Sequence, residues 1–121
     1  MTLKEIADAL VEGCRTGKER ENLHKLYADN AVSVEASDMG GGRTITGVAA
    51  IDGKHEWWQG AHEVHKAETG GPYLHGDDRF SVIFDIDVTN KESGQRMQMR
   101  EVGVYHVADG KIVREEFFYN T

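Results

Sequence analysis

Phe80-Ser81-Val82-Ile83-Phe84-Asp85-Ile86-Asp87-Val88 carries the two-residue period of a strand that buries one of its faces. Phe80, Val82, Phe84, Ile86 and Val88 fall on one side, with Ser81, Ile83, Asp85 and Asp87 on the other. The period continues outward from this stretch. Glu92-Ser93-Gly94 turns the chain, and Met97, Met99, Glu101, Gly103, Tyr105 and Val107 then share one face of a long strand. Ala108-Asp109-Gly110-Lys111 is a tight hairpin turn, after which Ile112 to Tyr119 closes a sheet. Upstream, Val64 to Thr69 reads as a strand interrupted by Gly70-Gly71-Pro72 before Tyr73-Leu74-His75. Pro72 lacks a backbone donor, so this segment is expected at an edge or at a bulge.

Before His62 the period is helical. Leu3, Ile6, Ala7, Leu10, Val11 and Cys14 recur at three- and four-residue steps, and Thr2 with Glu5 has capping-box spacing. Gly17 ends that helix, and a short second one follows with Leu23, Leu26 and Tyr27 on its apolar side. Asp29-Asn30 signals a turn, and Ala31 to Ala36 reads as a strand. A third helix opens at Gly47-Val48-Ala49-Ala50-Ile51 and runs to Ala61 or His62, with Ile51, His55, Trp58 and His62 on one face and Trp57 on its flank. Between them, Asp38-Met39-Gly40-Gly41-Gly42-Arg43 reads as a mobile loop, because no Gly-Lys-Ser/Thr follows to make it a phosphate cradle. The order helix, helix, strand, helix and four strands is α+β, with helices gathered on one face of an antiparallel sheet.

The 121 residues fit one domain, 1–121, without repeat or linker. A net charge of −7 argues against a nucleic-acid surface and against an anionic membrane. Cys14 is the single cysteine, which excludes an internal disulfide and leaves it the role of a small packed helix residue. No stretch approaches the ~20 apolar residues of a membrane span. Met1-Thr2-Leu3-Lys4-Glu5-Ile6 is charged early and has no long apolar run, unlike a secretory signal, so a cytoplasmic protein is expected.

Three segments together resemble the nuclear-transport-factor-2-like superfamily, in its SnoaL-like (polyketide cyclase-like) form. They are Leu26-Tyr27-Ala28-Asp29-Asn30-Ala31-Val32, Gly47-Val48-Ala49-Ala50-Ile51 and Asp109-Gly110-Lys111-Ile112-Val113-Arg114-Glu115-Glu116-Phe117-Phe118. The superfamily also includes ketosteroid isomerases and scytalone dehydratase. The resemblance implies a cystatin-like cone, in which N-terminal helices pack on a curved antiparallel sheet around one mostly apolar pocket. It also implies a homodimer joined through the outer sheet face, where Ile83, Val102 and Val104 stand. It does not name a reaction, because this fold carries many. In the isomerases an aspartate on the first strand moves the proton, while a tyrosine and a protonated aspartic acid hold the oxyanion. Carried over, the base's place falls at Glu35, the tyrosine's at Leu10 and the second aspartate's near Gly103. Both oxyanion donors are missing, so that mechanism is not expected here.

Glu101 is the residue most at odds with its surroundings. Alternation sets it among Met97, Met99, Tyr105 and Val107, where burial raises a carboxyl pKa and suits it to general acid or base work. A structural ion pair is the competing account. Glu35 is a second candidate, although Val32 and Val34 have the opposite parity, so that Glu35 points away from a pocket they face unless a bulge intervenes. His62 and His65, in His62-Glu63-Val64-His65, are candidate proton-relay partners; their spacing is three and no third ligand is evident, so no metal is expected. His24, His55, His75 and His106 read as surface or edge residues. Of Trp57 and Trp58, one is expected in the core and the other as a pocket wall for a planar ligand. Tyr27, Met99, Tyr105, Phe117 and Tyr119 complete the candidate lining. Asp85 and Asp87 read as a solvated pair. The expectation is a protein that binds a small apolar molecule, with no organic cofactor. Either it is an acid/base isomerase, cyclase or dehydratase, or it is a non-catalytic binding or dimeric assembly domain.

Overall fold

The computed structural model describes residues 1–38 and 40–120; Met39, part of the glycine loop, and Thr121 lie outside the described residues. Helix α1 (Leu3–Thr16) begins at the Thr2–Glu5 capping box and ends at Gly17, whose φ of 73° is the left-handed conformation a helix C-cap favours. Ile6, Ala7, Leu10 and Val11 turn its buried stripe inward, and Cys14 packs against the same core. Helix α2 (Glu19–Leu26) adds Leu23 and Leu26. Strand β1 (Tyr27–Val34) follows directly, then β2 (Thr44–Thr46), helix α3 (Val48–Ala61), and strands β3 (His62–His75), β4 (Arg79–Asn90), β5 (Arg96–Ala108) and β6 (Lys111–Phe118).

The six strands form one sheet in the order β2-β1-β6-β5-β4-β3. Four of the five pairings are antiparallel, but β1 lies parallel to β6. The sheet is therefore mixed rather than purely antiparallel, since the chain reaches β1 from α2 and travels through the whole meander before returning beside it. β2 is also additional to the sequence-based order. Its three residues hold to β1 through Val32–Thr46, Ser33–Ile45 and Val34–Thr44. Asp38 organises the turn by accepting from the Gly40 and Gly42 amides. Pro72 sits on the edge strand β3, where the register shifts between Gly70 and Tyr73, as its missing donor requires. Asp109 and Gly110 both have positive φ, the requirement of a two-residue hairpin turn.

Register fixes which residues share the helix-facing side. Across β4 and β5, Phe80 stands opposite Tyr105, Val82 opposite Gly103, Phe84 opposite Glu101, Ile86 opposite Met99, and Val88 opposite Met97. Across β5 and β6, Tyr105 meets Glu115 and Gly103 meets Phe117. Ser33 of β1 then stands beside Glu115. Phe80 stacks on Tyr105 with centroids 4.9 Å apart, and both belong to the core that α1 and α2 cover.

Candidate functional site

Glu115 is a carboxylate in the middle of this apolar face, 1% exposed. Such a group is tolerated only when its oxygens are bonded. The Tyr27 hydroxyl donates to Oε1, and Ser33 Oγ donates to Oε2 at 2.8 Å. A register shift in β1 between Tyr27 and Val32 accompanies this arrangement, in which both β1 side chains reach the same carboxylate. Burial pushes the Glu115 pKa up, opposed first by the Lys54 ammonium and then by the two hydroxyl bonds.

Lys54 reaches in from α3, three residues on from the fully buried Ile51 and so on the helix face that meets the sheet. Its Nζ donates to Ser33 Oγ at 2.7 Å and to Glu35 Oε1 at 2.6 Å. Glu115 Oε2 is 3.9 Å away, and the Phe117 ring centroid lies 5.0 Å from the ammonium. The other oxygen of Glu35 accepts from the Tyr119 hydroxyl at 2.9 Å. Tyr27, Glu115, Ser33, Lys54, Glu35 and Tyr119 thus form one continuous hydrogen-bonded chain from the core outward.

Glu101 faces this chain without joining it. Among the described residues its carboxyl has no hydrogen-bond or ion-pair partner, although it is partly buried. Burial raises its pKa first and the Glu35 charge second; Lys54 opposes and Glu115 adds, leaving it at about 7. A carboxyl held near neutrality can both take and return a proton. Tyr105 and Phe117 meet edge to face at 6.2 Å nearby, over Gly103.

Of the sequence candidates, Glu101, Glu35, Tyr27, Tyr105, Phe117 and Tyr119 are brought together. Glu35 points into the group although Val32 and Val34 take the other side of β1, because it shares parity with Ser33. Met99 stands one inward position along β5 and lines an open hollow of about 400 Å³ with Ile86, Asp85 and Arg100; Glu101 is not among its walls. The histidines are elsewhere. His65 sits where β3 shifts register, and its Nε2 bonds Thr89 Oγ1 at 2.7 Å, on the sheet face opposite Glu101. His62 pairs with Asn90, six residues along β4 from the partner of Glu101 and so about 20 Å away at ~3.3 Å per residue. Its Nδ1 contacts the Trp58 carbonyl, and its ring stacks on Trp58 at 4.6 Å. Neither tryptophan is in the core: Trp58 is partly buried against His62, and Trp57 is 56% exposed because α3 turns that flank outward. His55, expected at the surface, is partly buried, and burial followed by Lys54 lowers its pKa. Asp85 and Asp87 are ion-paired with Arg100 and Arg96 across β4 and β5. Among the described residues, no three His, Cys, Asp or Glu side chains are placed to hold a metal ion.

Sequence reasoning missed Lys54, Glu115 and Ser33. Glu115 shares strand parity with Phe117 and Tyr119, and Lys54 follows Ile51 by one helical turn, so the signals existed. They were masked by the expectation that a charged residue on a strand or helix is solvated.

No helix of the described residues is long and apolar enough to cross a membrane. Among curated proteins no sequence matches this chain. Among solved structures, a protein from Mesorhizobium loti described as a candidate SnoaL-like polyketide cyclase is 41% identical, with a TM-score of 0.91 over 98% of this chain and 100% of the other. A Xanthomonas campestris protein of unknown function with a cystatin-like fold is 17% identical, with a TM-score of 0.77 over 100% and 92% of the two chains. TerC, co-crystallised with polyporic acid, is 20% identical with a TM-score of 0.73, over 96% of this chain and 89% of its own. The last two likenesses speak to fold alone. The family model of the SnoaL-like domain matches residues 1–119, and this chain therefore belongs to the SnoaL-like domain family.

Proposed function

We propose that the protein is a cofactor-independent acid/base enzyme acting on an apolar, carbonyl-bearing small molecule, with Glu101 as the group that moves the proton. The observation that carries this reading is the contrast between two neighbouring carboxylates. Glu115 is fully bonded and fully buried, whereas Glu101, partly buried and poised at about 7, has no hydrogen-bond or ion-pair partner among the described residues. A structural carboxylate would be expected to look like the first. Isomerisation, aldol-type cyclisation and dehydration each need one such base. Glu35, Tyr105 and Tyr119 are close enough to interact with Glu101 electrostatically, and Phe117 adjoins Tyr105. The ligand bound by TerC and the cyclase description of the Mesorhizobium protein are consistent with a small-molecule role for this chain.

The same proposal places the protein in the cytoplasm and pairs two copies through the outer sheet face. Ile83 and Val102 are cross-strand partners there, and Phe118, the partner of Val102, is 48% exposed.

A thermal-shift screen of wild type and Glu101→Gln against steroids, aromatic polyketides, terpenoids and fatty acids tests the function. A ligand at ~100 times its Kd adds ~2.7 kcal/mol, a shift of several degrees. Hits that exchange carbon-bound protons for deuterium with wild type, and lose that exchange with Glu101→Gln, are the expected result. Binding that leaves exchange at the solvent rate in both proteins would instead make this a non-catalytic binding domain.

A further inference from the structure

We propose that Lys54 is the oxyanion-holding group of this site and that its substrate is a neutral ketone or ester rather than a carboxylate. This rests on the reading of Glu101 as the proton-transferring group and supplies what that reading lacks, a place for the negative charge a carbon acid develops. The isomerases' tyrosine and aspartic acid have no counterpart at Leu10 and Gly103, but Lys54 brings a cation from α3 to Ser33, Glu35 and the Phe117 ring.

The geometry of Lys54 exceeds what a counter-ion needs. An ammonium has three donors. Ser33 Oγ at 2.7 Å and Glu35 Oε1 at 2.6 Å engage two, while Glu115 Oε2 at 3.9 Å is beyond hydrogen-bond range. Among the described residues, no other acceptor bonds the third. Ser33 is itself fixed by Glu115, which Tyr27 also holds, so the ammonium is anchored from a fully buried base. Phe117 lies 5.0 Å beneath it. A preorganised cation costs little reorganisation when charge appears, which is the condition for effective transition-state stabilisation.

The charges facing the space decide the substrate class. Glu35 comes from just past β1, Glu101 from β5, Glu115 from β6 and Lys54 from α3, with His55, Tyr27, Tyr105, Tyr119 and, from α1, Cys14 as further titratable groups around them. Three carboxyls surround one ammonium, so a substrate bringing its own carboxylate meets like charge. A neutral carbonyl does not. In the step, the ionised Glu101 carboxylate takes a proton from the carbon next to the carbonyl. The C–H pair becomes the C=C bond, and the carbonyl π pair moves to oxygen, which Lys54 holds by hydrogen bond. Return of the proton from Glu101 to the same carbon regenerates the carbonyl and the carboxylate; where the substrate carries a C=C bond one carbon further on, the electron pair extends across it, and return of the proton to its far carbon leaves that double bond conjugated with the carbonyl.

The test uses 2-naphthol, neutral when protonated and enolate-like when ionised, with ionisation followed by absorbance. In wild type the bound probe is expected to ionise at lower pH than the free probe. Lys54→Met should weaken naphtholate binding by about ten- to a hundredfold, the worth of a hydrogen bond to a charged donor, and raise the pH at which bound probe ionises. Lys54→Gln, which keeps a donor and loses the charge, serves should the methionine variant fail to fold, and should show the same direction. Glu101→Gln should bind naphtholate at least as tightly as wild type. 2-Naphthoate should bind more weakly than 2-naphthol. Unchanged binding and ionisation in the folded lysine variants would overturn the assignment, as would no uptake of 2-naphthol by wild type at the probe's solubility limit. Tight binding of 2-naphthoate would overturn the substrate class. Failure of Glu101 as base would appear separately, as deuterium exchange that survives Glu101→Gln while the naphthol results stand.

Discussion

At the scale of single residues, Glu101 and Glu115 show how environment divides one side-chain type into two roles. Both have raised pKa values with burial as the first cause, but among the described residues only Glu115 receives hydroxyl donors. The lift on Glu101, from 4.5 to about 7, means the folded protein keeps a proton that the unfolded chain has already shed in that interval. Its contribution to stability therefore falls as pH rises through the interval and stays low above it. Glu101→Gln removes the penalty, so it should melt several degrees above wild type near about pH 8, a gain on the order of 1–3 kcal/mol, with the difference gone by about pH 4. Thermal melts of both proteins across that range check this; a glutamine variant less stable at alkaline pH would make Glu101 a structural partner instead. Glu101 was legible in the sequence because a charge broke the parity of an apolar face. Lys54 was not, because α3 has charged residues on several sides and only the sheet packed against it selects one.

At the scale of elements, local pattern carried most of the fold. The alternation of Phe80 to Val88, the α1 stripe and the Asp109-Gly110 turn all appear where their side chains require. What could not be read was pairing decided at long range. β2 is three largely exposed residues, β-branched but too short to stand out as a strand without its partner β1, and the parallel contact of β1 with β6 has no local signature. Gly103 illustrates how an element shapes the site. A Cβ there would come within 3.0 Å of Tyr105 Cε2 and 3.2 Å of Phe117 Cε1. Tyr105 is clamped by its stack on Phe80, so it cannot yield easily. Gly103→Ala should cost about 1–3 kcal/mol through overpacking and displace the Phe117 ring from beneath Lys54. Chemical denaturation gives the first effect, and the ring's NMR shifts give the second; a neutral substitution would show the rings to be free to move.

At the scale of the whole molecule, the proposed pairing of two copies rests on the outer sheet face. Ile83, Val102 and Phe118 adjoin one another there among the ion pairs of Asp85 with Arg100 and Asp87 with Arg96. Sedimentation equilibrium should give twice the chain mass, and Val102→Glu should give the single-chain mass with the fold retained; a wild-type monomer would dispose of the pairing. The parallel seam between β1 and β6 has a consequence in time as well as in space. Tyr27 and Ser33 are separated from Glu115 by 88 and 82 positions, so their hydrogen bonds close one of the longest loops in the fold. Such contacts carry a large loop-closure cost and are expected to follow the helices and hairpins that nucleate locally. On that order the hairpins close while Glu115 is still in contact with water. Docking of β1 is therefore expected to be the step that closes the carboxylate off from solvent and seats Lys54, so that the chemistry of the site appears only as folding completes.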